Sequence, residues 1–376
     1  MVSAISQNLL ENNGPCFYPA LHIYFFSFIY TIGGIETYPK YCQLIMMLLH
    51  IFIVILAVKI YASSFGQKSW YTWSITIWLL NTKLMSNQVR SWYAESLNIL
   101  WVYLAIFCMQ KSYNFMGVIW IAIGMAFKMN VLLFIPAVYY ITSKSEGIIC
   151  GTFYMIFILS IQILVAYPFM IDYAEEYLTT TFKFDRKFSV NSSINYNWIL
   201  FSPFFHSTYF TTPLLVFHVG LLLYFLFVKW LPMCDMNNQF SFISIFKKLK
   251  LWPLKCWPNF EPENAYHIAE VFFTWNFIGV ACSRTIHQQF LIWYWFSIPF
   301  LMYEPLKQGR TTVRRLVISI LLLNYWFTYS STPLTSLTVF IIHIWYIKHI
   351  TFSKRTGVSI EPIDSNSFPE TEFYKC

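Results

Sequence analysis

Apolar stretches separated by short polar breaks recur along almost the whole chain. The segments 17–33, 41–61, 69–85, 93–110, 114–127, 129–143, 148–169, 208–230, 266–281, 289–304, 314–329 and 333–350 are the candidates, and they predict ten to twelve hydrophobic helices. About 20 apolar residues in a helix cross a hydrocarbon core of roughly 30 Å. The pattern therefore predicts an all-α, polytopic membrane protein. Several segments are short or hold Gly124, Pro136 or Pro168, which predicts broken or re-entrant helices where protein or a wet cavity covers the freed backbone. One membrane-embedded domain is expected over 1–350, followed by a polar cytosolic tail over 351–376.

Composition agrees with the pattern. The 376 residues are 57% hydrophobic and 21% aromatic, and 11% are charged, against about 25% in a soluble domain. Lys59, Lys68, Lys83, Arg90, Lys111 and Lys144 are spread evenly over the first half and fix no parity there, but the basic residues of the second half are clustered. Lys247, Lys248, Lys250 and Lys255 lie between Trp230 and Ala265; Lys307, Arg310, Arg314 and Arg315 follow Tyr303; Lys348, Lys354 and Arg355 lie toward the end. The positive-inside rule makes all three groups cytosolic. Single crossings then put Asp172–Ser207, Cys282–Gln288 and Ser330–Pro333 on the opposite side, with the sequon Asn191-Ser192-Ser193, a candidate N-glycosylation site, among them. The net charge of +8 suits an anionic cytosolic leaflet, and no nucleic-acid-binding pattern accompanies it. The opening residues lack the charged and apolar regions of a signal peptide. Eight cysteines without CxxC spacing read as small core residues, and no metal site is expected.

Nucleotide-binding, zinc-protease, calcium-loop and hydrolase motifs are absent. Chemistry must therefore come from polar groups near the ends of spans, where each needs a structural or functional reason. Arg284 and His287, three residues apart, are expected to share a helical face at the non-cytosolic end of a span, where they would suit a phosphate. Snorkelling or capping is the structural alternative. Lys128, between apolar runs, and Arg186, beside Asp185 and Lys187, pose the same choice. Glu95 is the nearest carboxylate, with Arg90 five residues away as a potential partner.

Several stretches, in order, carry a resemblance: "NGPCFYPALHIYFF" (13–26), "FKMNVLLFIPAVYY" (127–140), "FDRKFSVNSSINYNWIL" (184–200), "FTWNFIGVACSRTIHQQFLIWYWFSIPFLMY" (273–303) and "YSSTP" (329–333). They resemble the endoplasmic-reticulum mannosyltransferases that add an alpha-1,3-linked mannose to the lipid-linked oligosaccharide from dolichyl-phosphate-mannose. The GP-x-x-YPA pattern falls on Gly14, Pro15, Tyr18, Pro19 and Ala20. The K-M-N-V-L-L-F block is Lys128 to Phe134, and the R-[ST]-L-H-Y-Q-F block is Arg284 to Phe290.

This resemblance implies a GT-C-type glycosyltransferase fold in the endoplasmic-reticulum membrane, with a lumenal site. It implies an inverting transfer from dolichyl-phosphate-mannose to a Man5GlcNAc2 glycan on dolichyl diphosphate, part of protein N-glycosylation. It also implies a carboxylate base, for which Glu95 and Glu11 are the nearest substitutes, and phosphate-holding roles for Arg284, His287, Lys128 and Arg186, with Tyr18, Asn130 and Gln289 in support. The leaving group is already an anionic lipid phosphate, so no cofactor is required and a divalent metal is not implied.

The chain departs from the family at four places. Asn12 stands at an acidic position, and Arg90 to Glu95 replaces an N-D-P stretch. Gln288 stands at an aromatic position, and Ser330 replaces a proline. The usual first span and acidic lumenal loop are not found before Gly14, which leads to the expectation of further residues upstream. Two rival readings follow: a degenerate or truncated relative that binds lipid-linked glycans, and a polytopic transporter, for which no internal repeat argues.

Overall fold

The computed structural model describes residues 18–66, 82–91, 95–181, 189–199, 201–231, 264–306, 310–326 and 331–352, and among them every regular element is helical. The longer elements are α1 (Ala20–Phe65), α2 (Thr82–Ser91), α3 (Glu95–Gln110), α4 (Asn114–Phe127), α5 (Ile135–Glu146), α6 (Ile148–Asp172) and α7 (Ala174–Thr181). After them come the single turn α8 (Ser202–Phe205), α9 (Thr208–Tyr224), which continues as a π-helical turn to Trp230, and α10 (Ala265–Ala281). Short pieces α11 (Leu291–Trp295), α12 (Ile298–Leu301) and α13 (Tyr303–Leu306) precede α14 (Arg310–Trp326) and α15 (Pro333–Phe352).

Four helical stretches among the described residues are long and apolar enough to cross a membrane: Ala20–Phe65, Ile148–Asp172, Thr208–Trp230 and Pro333–Phe352. The protein is a helical, polytopic membrane protein.

α1 departs from the expectation of two separate spans. Its 46 residues would stretch about 69 Å as a straight helix, more than twice a hydrocarbon core. Gly34 breaks it, with φ 63° and ψ 176°, a left-handed-side conformation that glycine adopts without Cβ strain. Beyond the break, Cys42, Met46, His50, Ile53, Ala57, Ile60 and Ser64 are buried, a helical stripe that faces the core. Tyr61 Oη on that stripe donates to the Phe296 carbonyl oxygen at 2.9 Å. Phe28, Ile32 and Ile35, around the break, stay exposed.

The core gathers around α10. Nearly every residue of this helix is buried, including the polar His267, Thr274 and Asn276; a helix apolar on all sides belongs in such a position. Around it pack Tyr61, Tyr103, Phe134, Trp293, Tyr294 and Phe296. The predicted span 289–304 is not one helix. Backbone turns at Phe296, Ser297 and Met302, with Pro299 in the run and Pro305 just after it, divide it into α11, α12 and α13, and these fragments fill the space beside α10.

Two features aim the site. α4 ends at Phe127 and a 3-10 turn, Met129–Phe134, precedes α5, leaving Lys128 extended between them (φ −158°, ψ 133°). A Cβ added to Gly279 of α10 would lie 2.9 Å from a Leu133 methyl carbon, so the missing side chain lets the 3-10 turn lie close against the last turns of α10.

Candidate active site

Glu95 opens α3 and is buried. A carboxylate in a first helical turn is favoured by the helix dipole and the unsatisfied N–H groups there. Lys128, carried across from the α4 break, donates from Nζ to Glu95 Oε1, and both residues are buried. The pair is 33 residues apart in sequence. It corrects one of the two structural expectations for Glu95, pairing with Arg90 or capping a helix: Glu95 does open α3, but its partner is Lys128, and Arg90 sits exposed on α2, at a five-residue spacing that does not align on a helix.

Aromatic rings wall this ion pair. Lys128 Nζ is 5.6 Å from the centre of the Tyr18 ring and 5.5 Å from that of Phe290, both inside the range of cation–π attraction. The His22 ring stacks on Tyr18 at 4.2 Å, and the His287 ring lies 5.9 Å from Phe290 with near-parallel planes. Gln88 of α2 donates to the Gln289 carbonyl oxygen at 3.4 Å and accepts from Ser96 of α3 at 3.4 Å. The 288–290 turn is thereby tied to the two helices that flank Glu95. Asn130, half-buried, is in the 3-10 turn just after Lys128.

Arg284 and His287 do not share a helical face. α10 stops at Ala281, and the backbone from Ser283 to His287 is irregular, with His287 itself extended (φ −105°, ψ 167°). The cause is Asn195, buried in the loop 189–199. Its Oδ1 accepts from the Ile286 N–H at 3.1 Å and from the Ser193 hydroxyl at 2.8 Å, and its Nδ2 donates to the Ser283 carbonyl oxygen at 2.9 Å. The Ile194 N–H adds a bond to the Ile286 carbonyl oxygen at 2.9 Å. These bonds take up backbone groups of 283–286 that a continuing helix would have used. Arg284 and His287 are both half-buried in the resulting loop.

A third segment closes the cluster. Ser331 Oγ donates to the Ser193 carbonyl oxygen at 2.8 Å, and Asn197 Nδ2 donates to the Ser331 carbonyl oxygen at 2.9 Å. Three segments assigned to one side by the charge pattern are thus joined by hydrogen bonds. Burial, with a smaller contribution from the nearby Cys282 sulfur, pushes the Tyr196 phenol above its usual range.

Of the residues singled out by sequence, Lys128 meets Glu95 and Tyr18 directly, His287 joins through Phe290, and the Gln289 backbone is tied by Gln88 to Ser96, next to Glu95. Arg284 is half-buried in the loop that leads into His287, and Arg186 and Glu11 fall outside the described residues. Gln88, His22 and Asn195 are not among the residues the sequence points to, and Phe290 stands there only as the last residue of its block. The density of polar side chains in "SSINYN", in so apolar a chain, was the available signal for Asn195. Among the described residues no group of three or more His, Cys, Asp or Glu could hold a metal ion.

Asn191 is exposed on the same loop and is expected to carry an N-glycan. Peptide N-glycosidase treatment of the membrane-derived protein should then raise its gel mobility, and Asn191→Gln should migrate with the treated form; identical mobility before and after digestion would reject the site.

A family model described as "ALG3 protein" matches residues 6–336. A protein of Arabidopsis thaliana named "Dol-P-Man:Man(5)GlcNAc(2)-PP-Dol alpha-1,3-mannosyltransferase" is 26% identical over 375 residues, covering 98% of this chain and 82% of that protein. A Homo sapiens protein of the same name is 25% identical over 338 residues, with 89% and 74% covered. A Kluyveromyces lactis protein, again of that name, is 29% identical over 308 residues, with 77% and 64% covered. No solved structure matches.

Proposed function

We propose, because this chain belongs to the ALG3 protein family, that it transfers one mannose in alpha-1,3 linkage from dolichyl-phosphate-mannose to a Man5GlcNAc2 glycan on dolichyl diphosphate, at the lumenal face of the endoplasmic-reticulum membrane. The observation that carries the reading is the meeting of two distant sequence blocks, Lys128–Phe134 and Arg284–Phe290, where Phe290 lies against Lys128 and Lys128 bonds the buried carboxylate of Glu95.

In this reading Glu95 takes the proton of the attacking acceptor hydroxyl. Arg284, His287 and Lys128 hold the donor and acceptor phosphates, and Arg186 is assigned with them from its motif. Positive charge and N–H donors at the departing phosphate act where negative charge develops, in a site walled by Tyr18 and Phe290. Attack opposite the leaving phosphate inverts the anomeric centre, so a beta-linked donor gives an alpha-linked product.

The test is the purified protein in lipid nanodiscs with donor and acceptor. The expected product is one hexose larger by mass spectrometry and is trimmed by an alpha-mannosidase. Acceptor binding without hexose addition would instead support the reading as a lipid-linked-glycan-binding relative and overturn the enzyme.

A further inference from the structure

The one buried acid of the site is already neutralised by the cation expected to greet the donor. Glu95 is 2% exposed and Lys128 8%, and their charges meet in a direct hydrogen bond. A carboxylate held by an ammonium has one oxygen committed to that donor. An ammonium so held has part of its field spent before any phosphate arrives. Both assignments, base and phosphate holder, therefore compete for one contact.

We propose that Lys128 is a shared counterion that passes from Glu95 to the phosphate of the incoming polyprenyl-phosphate sugar, so that the carboxylate is released to the acceptor hydroxyl only when the donor is in place. This rests on the donor class given under Proposed function. The lysine has the means to move. Its stem leaves an extended backbone residue between two helical elements, and its Nζ lies 5.6 Å from the centre of the Tyr18 ring and 5.5 Å from that of Phe290. These faces attract a cation without pinning it to one partner. A phosphate brought next to Glu95 without such a shift would place two anions together in a buried site, which is costly.

The chemical step then balances. The acceptor O–H bond breaks and its proton goes to the Glu95 carboxylate. The freed oxygen lone pair forms the bond to C1 of mannose. The C1–O bond to phosphate breaks, and its electron pair leaves on dolichyl phosphate, which Lys128 now faces. Binding order follows from the same exchange: donor first, acceptor activated second.

The distinguishing experiment measures binding of dolichyl phosphate, the unreactive product, to the full chain in nanodiscs. Hand-off predicts that Glu95→Gln, by releasing Lys128, binds dolichyl phosphate about tenfold tighter than wild type, near the lower end of the coupling measured for close charge pairs. Lys128→Met should bind about tenfold more weakly, and the double variant should match Lys128→Met. Glu95→Asp, which keeps the charge but draws it back by one methylene, should tighten binding in the same direction and by less, so the test stands if the glutamine variant does not fold. Unchanged or weaker binding by the folded Glu95 variants, in a wild-type protein that transfers mannose, would overturn the hand-off alone. A wild-type protein that neither transfers mannose nor binds dolichyl phosphate would overturn the donor reading on which it rests.

Discussion

Lys128→Met is expected to abolish mannose transfer and to lower the unfolding temperature of the detergent-purified protein. The stability part follows from what is left behind. Removing one member of a buried ion pair typically costs about 3–5 kcal/mol, because the remaining charge is desolvated without a partner. The loss should be largely reversed in Glu95→Leu with Lys128→Met, since an apolar pair of similar volume often matches or exceeds a buried ion pair in stability. Activity should not return with it, as the double variant has neither proton acceptor nor cation. Thermal unfolding and transfer assays on wild type, both single variants and the double variant separate the two roles. A single Lys128→Met variant as stable as wild type would mean that the Glu95 contact is not a buried pair in the protein, and recovered transfer in the double variant would remove Glu95 from the chemistry.

Asn195→Ala is expected to be nearly as damaging, although Asn195 touches none of the proposed reacting atoms. Its side chain makes three hydrogen bonds, to Ser193 Oγ, Ile286 N and Ser283 O, and it is 1% exposed. At about 1 kcal/mol for each lost bond, with more where a buried partner is left unsatisfied, the cost is roughly 3 kcal/mol. The functional loss should exceed the structural one. The 283–286 backbone held by Asn195 carries Arg284 and leads into His287, and small displacements of a phosphate-holding group are expensive in rate. Donor KM should therefore rise and kcat fall in protein that still folds. Asn195→Asp, which keeps the two acceptor bonds but loses the donor bond to Ser283, is expected to fall between. Transfer kinetics unchanged in Asn195→Ala would show that the loop holds its shape without this clasp.

Composition and period disclosed the class of the protein because lipid and protein interior reward the same side chains. For the same reason they did not disclose which apolar helix lies where. α9 and α10 are both 17 residues long and strongly apolar; no residue of α9 is buried, while nearly all of α10 is. The site divided along a similar line. Lys128 and Glu95 were legible as exceptions in an apolar chain, but not as partners, because their contact spans 33 residues and depends on the extended break at Lys128. Arg284 and His287 were legible as charge at a span end. Their spacing of three suggested a helix, and the Asn195 bonds overrode it, a tertiary constraint with no local period. The 289–304 run was read as one crossing because its apolarity is continuous, whereas the backbone turns through it.

The clasp between the loops also sets a timetable for the growing chain. Ser331 bonds to a residue 138 positions earlier, Ser193, whose hydroxyl is the acceptor-sequon hydroxyl and is itself engaged by Asn195 and by the Tyr196 N–H. At about 5–20 residues per second of synthesis, the ribosome delivers Ser331 on the order of ten seconds after Ser193. Until then the nascent loop lacks its last partner, and an oligosaccharyl transfer that needs an extended sequon has its opportunity. Once Ser331 docks, Ser193 is shut into the fold. A glycan on Asn191 would thus be added during translation or not at all.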